Sequence, residues 1–183
     1  MSSVKNVVGA LAAAAVAVIA AGCAELTARA PGESVEFELS ARFAARYGAE
    51  AASGQLAWRH DAARDEVLLS SPLGQGLARV TRQASGATLV TADDRRYAAA
   101  DAETLTEQVL GFRLPLRGLA DWVRARPAAG APARTEYTPE GRLAVLEQFG
   151  WRVEYQAYDG GKPARLRLSY PGLELRIAVS EWK

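Results

Sequence analysis

The stretch VEFELSARFAARY, residues 35–47, decides the fold because apolar and polar side chains alternate along its whole length. Its odd positions carry Val, Phe, Leu, Ala, Phe, Ala and Tyr, and its even positions carry mostly Glu, Ser and Arg. Successive side chains of a β-strand point to opposite faces, so a period of two predicts a strand with one buried face. A strand this long needs neighbours, which the rest of the chain has to supply.

Shorter segments of the same kind lie on both sides of one interruption. A turn is predicted at Ser53-Gly54, and the remaining strands are predicted at residues 55–60, 66–70, 77–82, 87–91, 95–98, 142–148, 151–155, 166–170 and 173–180. Strands that are linked by brief turns favour an antiparallel meander. The count comes to ten or eleven strands, and a sheet of that width must curl or close.

The interruption is predicted to be helical, near residues 102–126. Asp101 suits the N-cap of a first helix, and Gly111 suits its end. Pro115 suits the first turn of a second helix, which ends before Pro127. The apolar stripe of this second helix, with Trp122 on its flank, is formed by Leu116, Leu119, Ala120 and Val123. Two short amphipathic helices inserted at one place in a chain of strands are typical of a cover over a sheet, and no second domain is expected.

The chain begins with Lys5, an apolar run and small residues before Cys23, which is the pattern of a secretory signal. Small residues before a cysteine resemble the lipobox of bacterial lipoproteins, although Ala20 stands where that motif prefers leucine. The alternative is a plain signal peptide with an incidental cysteine. Cys23 is the only cysteine in the chain and has no disulfide partner, which favours acylation. We therefore expect a signal peptide at residues 1–22 and a lipidated N-terminus with a short tether at residues 23–34.

Composition narrows the class of protein. The 183 residues include 22 basic and 21 acidic side chains, and Lys5 belongs to the predicted signal, so the mature chain is balanced. Nucleic-acid-binding proteins carry an excess of basic residues, so we do not expect nucleic acid to be a partner of this protein. Residues 35–183 have the length of one domain, which the acyl chains would hold at a membrane.

Four further segments are similar to segments of one known protein family. They are GFRLPLRGLADWV at residues 111–123, QFGWRVEY at 148–155, SGQLAW at 53–58 and SPLG at 71–74. Together with the lipobox-like start, they resemble the LolB family of outer-membrane lipoprotein receptors in the family's own order. The family often has glycine where Ala41 and Ala125 stand, so we expect local differences in the first strand and at the end of the lid. The tether is also short for the N-terminal helix that some relatives carry.

The resemblance implies a mainly β fold, an unclosed antiparallel β-barrel with a short helical lid over an apolar cavity. It implies a protein anchored in the outer membrane that faces the periplasm, accepts lipoproteins from the carrier LolA and inserts them into the inner leaflet of the outer membrane. The expected partners are the LolA–lipoprotein complex and its acylated cargo, and the protein is expected to act as a monomer. No cofactor is expected apart from the N-palmitoyl and S-diacylglycerol groups on Cys23. Ala24 is not the aspartate that signals inner-membrane retention in enteric relatives.

Two sets of residues are singled out for this role. Leu73 stands in a Pro-Leu-Gly turn, and in the resembling family the leucine of this loop protrudes and helps to push cargo into the bilayer. Face and size make the following residues candidates for the cavity and lid, although some of them will be ordinary core: Phe43, Trp58, Leu69, Leu110, Leu116, Trp122, Val123, Trp151 and Tyr155.

Residues that could support catalysis are scarce. The only histidine, His60, lies between Arg59 and Asp61 at a turn and is expected at the surface. One histidine and one acylated cysteine cannot build the usual zinc sites, and no Gly-x-Ser-x-Gly elbow is present. We therefore do not expect an enzyme. Two other classes stay open, namely a lipoprotein with a lipocalin-like pocket for a small apolar ligand and a scaffold subunit of an outer-membrane assembly.

Overall fold

The computed structural model describes residues 35–110 and 113–183, except for the side chain of Leu110. The predicted signal peptide, Cys23 and the tether lie outside the described residues. The strands are β1 (Phe37–Tyr47), β2 (Glu50–His60), β3 (Asp65–Ser70), β4 (Gly76–Gln83), β5 (Gly86–Thr91), β6 (Arg96–Ala99), β7 (Arg134–Tyr137), β8 (Leu143–Gln148), β9 (Trp151–Asp159), β10 (Lys162–Tyr170) and β11 (Leu173–Trp182). The helices α1 (Ala102–Leu110) and α2 (Leu116–Trp122) stand between β6 and β7.

All eleven strands form one antiparallel sheet in the order β6-β5-β4-β3-β2-β1-β11-β10-β9-β8-β7. The long strand predicted from residues 35–47 lies in the middle, between β2 and β11. The sheet does not close, because β6 and β7 form its two edges. Since α1 and α2 connect β6 to β7, the helical segment leads from one edge to the other. This confirms a mainly β fold with an unclosed antiparallel sheet and two helices.

Two strand predictions were wrong. The predicted turn at Ser53-Gly54 does not form, and both residues lie inside β2. Gly54 is accommodated in the strand because neighbouring atoms leave no room for a side chain at this position. A Cβ at Gly54 would collide with the carbonyl oxygen of Ser70 and lie 3.1 Å from Cε1 of Phe43. The other miss is β7, a four-residue edge strand that pairs with β8 alone and so needs no apolar face of its own.

The two alanines that stand where the family often has glycine occupy unusual positions. Ala41 adjoins an irregularity in the pairing of β1 with β11. Ala125 follows α2 and has a φ of 57°, in the left-handed region that favours glycine. The local differences that we expect at Ala41 and Ala125 would therefore fall on a pairing irregularity of β1 and on the exit from the helical segment.

Candidate functional site

We call the face of the sheet that carries the buried core residues the inner face. The exposure of the side chains on this face changes along the strands. On β1, Phe37, Leu39 and Ala41 are buried, Phe43 is partly exposed and Tyr47 is exposed. The β1–β2, β3–β4, β5–β6, β8–β9 and β10–β11 turns all lie at the exposed end, as the antiparallel order requires. We call this end of the sheet the open end and the opposite end the closed end. The inner face is therefore filled at one end of the sheet and accessible to solvent at the other.

A group of partly exposed apolar side chains lies on the inner face. Register places Leu56 opposite Ala41 and Leu69 opposite Leu56, so these side chains share the inner face of adjacent strands. We define the inner patch as five partly exposed apolar residues of this face, namely Phe43, Leu56, Leu69, Ala78 and Leu175. They come from β1, β2, β3, β4 and β11, and none of them carries a charge or a polar side chain. The inner patch is therefore suited to hydrocarbon.

A buried polar cluster fills the closed end. Asp65 accepts hydrogen bonds from Trp58 Nε1 at 2.9 Å, from His60 Nδ1 at 2.6 Å and from Arg82 Nε. Burial acts to raise the pKa of Asp65, but the hydrogen bonds from His60 and Arg82 outweigh it and hold this pKa below its ordinary value. The prediction that His60 lies at the surface was wrong, because only 7% of it is exposed and its ring stacks on Phe37. The buried histidine has a hydrogen-bond partner in the core, namely Asp65.

Helix α2 is fixed to the second half of the sheet by Gln148 of β8. The side-chain oxygen of Gln148 accepts hydrogen bonds from Trp122 Nε1 and from the backbone N–H of Ala128, both at 2.9 Å. Its amide nitrogen donates to the carbonyl oxygens of Ala128 at 2.8 Å and Ala131 at 2.9 Å. Gln148 is 3% exposed, so all four of its hydrogen-bonding positions are used in the interior.

Tyr155 of β9 adds a further contact to the same helix. Its hydroxyl donates a hydrogen bond to the carbonyl oxygen of Trp122 at 2.8 Å, and burial raises the pKa of Tyr155 above its ordinary value. The tyrosine therefore stays a neutral donor, and Trp122 is held through both its ring and its backbone.

Arg124, just after α2, joins the helical segment to the first half of the sheet. Its guanidinium donates to Glu36 Oε2 at 2.5 Å and to Asp121 Oδ1 at 3.2 Å, and it lies over the ring of Phe37 at 5.1 Å. The hydrogen bond from Arg124 is the main reason that the pKa of Glu36 is lowered. Arg124 Nη2 also lies 3.4 Å from His60 Nε2, so it reaches the polar cluster of the closed end. Gln148 therefore holds α2 against the second half of the sheet, and Arg124 holds the end of the helical segment against the first half. We call these two sets of contacts the clamps of α2.

Helix α1 packs against β5 and β6, near the sheet edge from which it leaves. The predicted N-cap is confirmed, because Asp101 Oδ1 accepts a hydrogen bond from the backbone N–H of Thr104 at 2.7 Å. The hydroxyl of Thr106 accepts a hydrogen bond from the N–H of Leu114 at 2.9 Å and thereby ties the start of α2 to α1. The two helices therefore form one connected unit.

The structure divides the predicted cavity and lid residues into two groups. Phe43 and Leu69 belong to the inner patch. The buried residues, which pack together in the core, are Trp58, Leu116, Trp122, Val123, Trp151 and Tyr155. Trp122, predicted on the flank of its helix, is 0% exposed. Their role as a lining stays a prediction, as do those of Cys23 and the Leu110 side chain, both outside the described residues.

Sequence reasoning missed Leu56, Ala78 and Leu175 as members of the inner patch. Leu175 stands between Glu174 and Arg176, so its alternation indicated the correct face, whereas Leu56 and Ala78 each have one apolar neighbour and gave a weaker signal. What was lacking was the register, which decides how far along the strand a residue lies from the closed end.

Leu73 lies at the tip of the β3–β4 connection and is 92% exposed. The N–H of Gly74 donates to the carbonyl oxygen of Ser71 at 2.9 Å, which closes a turn with Pro72 and Leu73 at its centre. Gln55 Nε2 donates to the carbonyl oxygen of Pro72 at 3.1 Å and braces the turn against β2. The leucine is thus displayed on a turn that is held by several hydrogen bonds.

Two features are absent from residues 35–110 and 113–183. No three His, Cys, Asp or Glu side chains are grouped so that they could hold a metal ion. Neither described helix has the length and apolar character needed to cross a bilayer.

The chain is similar to known outer-membrane lipoproteins. The family model described as "Outer membrane lipoprotein LolB" matches residues 35–182. An outer-membrane lipoprotein LolB from Azoarcus sp. (strain BH72) is 38% identical and covers 100% of this chain and 98% of its own length. One from Thiobacillus denitrificans is also 38% identical, over 79% of this chain and 78% of its own length. A DUF1329 family protein from Desulfovibrio piger shares the fold alone, with a TM-score of 0.50, 8% identity and coverage of 80% of this chain and 84% of its own.

Proposed function

The chain belongs to the LolB family of outer-membrane lipoproteins, and on that premise we propose that it accepts lipoproteins from the periplasmic carrier LolA and inserts them into the outer membrane. The acyl chains of the cargo would lie on the inner face of the sheet. No bond is made or broken in such a transfer, so the role needs no catalytic group.

The observation that carries this proposal is the inner patch. Phe43, Leu56 and Leu69 leave an apolar, partly exposed surface inside a curled sheet, where hydrocarbon is removed from water. Each methylene exposed to water costs about 0.8 kcal/mol, so a chain with about 15 methylenes gains on the order of 12 kcal/mol from full burial. A receiver that binds the chains better than the carrier by ~1.4 kcal/mol biases the exchange tenfold.

Space for several acyl chains would come from movement of the helical unit. Trp122 and Val123 are completely buried, so the sheet beneath α2 is filled in the present state. Displacing α2 would uncover Trp151 and Tyr155 next to the inner patch, and the clamps at Gln148 and Arg124 set the cost of that step. The predicted lining residues would then contact cargo only in the open form.

The N-terminal region would hold the domain at its site of action. We propose that residues 1–22 are removed as a signal peptide and that Cys23 carries N-palmitoyl and S-diacylglycerol groups. Residues 24–34 would then connect this anchor to a monomeric domain in the periplasm. Two or more acyl chains hold a protein stably on a bilayer, whereas a single chain holds it only marginally.

Transfer is tested with the purified mature chain carrying Cys23→Ala, mixed with LolA loaded with an acylated lipoprotein. We expect the chain to take over the lipoprotein and to deliver it to vesicles. A pocket for a small apolar ligand would bind free fatty acid and leave the lipoprotein on LolA, and a scaffold would bind neither. Either result would refute the receptor role.

Leu73→Glu separates acceptance from insertion. We expect this variant to fold and to accept cargo normally, because Leu73 is 92% exposed. Insertion into vesicles should fall sharply, since the glutamate would have to enter the bilayer surface at the tip of the turn. Tyr137→Glu, at an exposed apolar position of the closed end, is the matched control and should insert cargo normally. Normal insertion by Leu73→Glu would remove the role of this residue.

A further inference from the structure

Exposed apolar side chains are concentrated at one end of the sheet. The large hydrophobic residues exposed in the described chain are Val35, Tyr47, Leu73, Leu77, Tyr137, Phe149 and Tyr170. Register places Val35 and Tyr137 at the closed end and the other five at the open end. We call those five residues the rim. Scattered exposed apolar residues need no explanation, but a grouping at the open end indicates an interaction surface.

The rim is continuous across the second half of the sheet. Tyr47 and Tyr170 are both paired with Leu173, so the three side chains stand in one row on the inner face. The ring of Tyr170 lies 5.2 Å from that of Trp151, and Phe149 lies 6.3 Å from Trp122. The row therefore ends beside the helix that covers the core.

Phe149 occupies a position that its own backbone disfavours. Phe149 and Gly150 form the two-residue turn between β8 and β9, with φ values of 52° and 77°. Two positive φ values are typical of a type I′ turn, for which Asn-Gly or Gly-Gly is preferred. The β9–β10 turn at the closed end follows that preference with Gly160-Gly161, at φ values of 54° and 82°. A bulky, 49% exposed aromatic in this position is a cost to the fold and points to a use at the surface.

We propose that the rim is a bilayer contact surface, in which Tyr47, Phe149 and Tyr170 lie among the lipid headgroups while Leu73 reaches deeper. The inference rests on the proposed function and adds to it the orientation of the domain, with the open end of the sheet against the membrane. A flat bilayer can contact turns from both halves of a curved sheet at the same time. Tyrosine, with an apolar ring and a polar hydroxyl, is enriched at membrane interfaces.

The length of the chain before β1 permits this orientation. From Cys23 to Phe37 there are 14 residue steps, which span at most about 46–50 Å. β1 runs ten steps from Phe37 at the closed end to Tyr47 at the open end, or about 33 Å. An anchor at Cys23 can therefore share a bilayer with the rim.

The test uses the mature chain carrying Cys23→Ala and vesicles of phosphatidylethanolamine and phosphatidylglycerol, without cargo. We expect Phe149→Asn, Tyr47→Ser and Tyr170→Ser each to lower the vesicle partition coefficient about five-fold, and the triple variant about 100-fold, because apolar contact with lipid is lost. Phe149→Asn should melt at the same or a higher temperature, since asparagine suits the turn. Tyr137→Ser, at the closed end, should bind vesicles like the parent chain. Unchanged binding by the triple variant, or an equal loss with Tyr137→Ser, would overturn the proposal.

Cargo acceptance from LolA, measured without vesicles, separates the rim from the receptor function. We expect the triple variant to accept cargo at the parent rate. If the parent chain accepts no cargo but its vesicle binding depends on the rim, the receptor role fails and the bilayer contact stands. If the triple variant binds vesicles normally but no longer accepts cargo, the rim is a docking surface for the carrier and the bilayer proposal is wrong.

Discussion

Replacing Gln148 by glutamate tests how firmly the helical cover is held. The change keeps the shape of the side chain and the acceptor for Trp122 Nε1 and the Ala128 N–H, but it removes both N–H donors. The carbonyl oxygens of Ala128 and Ala131, at 2.8 and 2.9 Å from the amide nitrogen, would then face a carboxylate oxygen. At neutral pH the interior would therefore contain a repulsive contact and a buried charge.

The size of the effect follows from the lost partners. A buried acceptor that loses its donor costs about 1–3 kcal/mol, and two are affected here, so we expect a loss of about 4 kcal/mol at pH 7. Such a loss is a large part of the 5–15 kcal/mol that typically stabilises a domain. The loss should depend on pH, because burial raises the pKa of the new carboxyl above its ordinary ~4.3. Below about pH 4 the group is protonated in both the folded and the unfolded state and donates one hydrogen bond, so the loss should shrink; it should grow as the pH rises above that value.

Urea unfolding of the parent and the variant at pH 4 and pH 7 measures this difference in stability. Hydrogen exchange of the α2 amides should report faster opening of the helix in the variant. Glu147→Gln is the matched control, since Glu147 is partly exposed and pairs with Arg152 at 2.6 Å, and its change should cost less than about 1 kcal/mol. A variant as stable as the parent at pH 7, or a loss that does not shrink at pH 4, would refute the view that Gln148 clamps α2.

Two further predictions concern the sheet. Gly54→Ala should destabilise the fold by about 3 kcal/mol in urea unfolding, because the added methyl meets the Ser70 carbonyl and the Phe43 ring, whereas Ser53→Ala at the exposed neighbouring position should be nearly neutral. Asp65→Asn should cost about 3–5 kcal/mol, because Arg82 loses its buried counter-charge. Since the folded-state pKa of Asp65 is lowered, its stabilisation is present above the ordinary value of about 3.9 and is lost as the pH falls through the folded pKa, so the parent and the variant should converge in stability at low pH. A constant difference between them from pH 2 to pH 7 would contradict the role of this charge.

The sheet could be predicted largely from local patterns. The alternation of residues 35–47 was enough to predict β1, and turn residues marked most of the other strands. The exceptions have a common cause. Gly54 was mistaken for part of a turn because the sequence does not show that Phe43 lies across it, and β7 was missed because an edge strand needs only one partner. Both depend on contacts between residues far apart in the chain.

The candidate site was predicted in its chemical character but not in its arrangement. Leu73 was expected to protrude, and its Pro-Leu-Gly sequence indeed forms an exposed turn. His60 was expected at the surface, but it is buried. Its burial depends on a hydrogen bond to Asp65, which strand pairing places directly opposite it. Gln148, which holds α2 by four hydrogen bonds, is one polar residue among many until the loop at Ala128 and Ala131 folds over it.

The sequence by itself determined that this chain is an antiparallel sheet with a helical insertion, because side-chain period and turn chemistry act over only a few residues. The tertiary structure alone decided which apolar residues fill the closed end, which form the inner patch and which stand on the rim. Phe37, Phe43 and Tyr47 occupy equivalent positions in the alternating pattern of one strand, yet they are buried, partly exposed and exposed, respectively. The difference arises because exposure depends on what packs across the sheet, and Arg124, just after α2, lies over Phe37 at one end of β1.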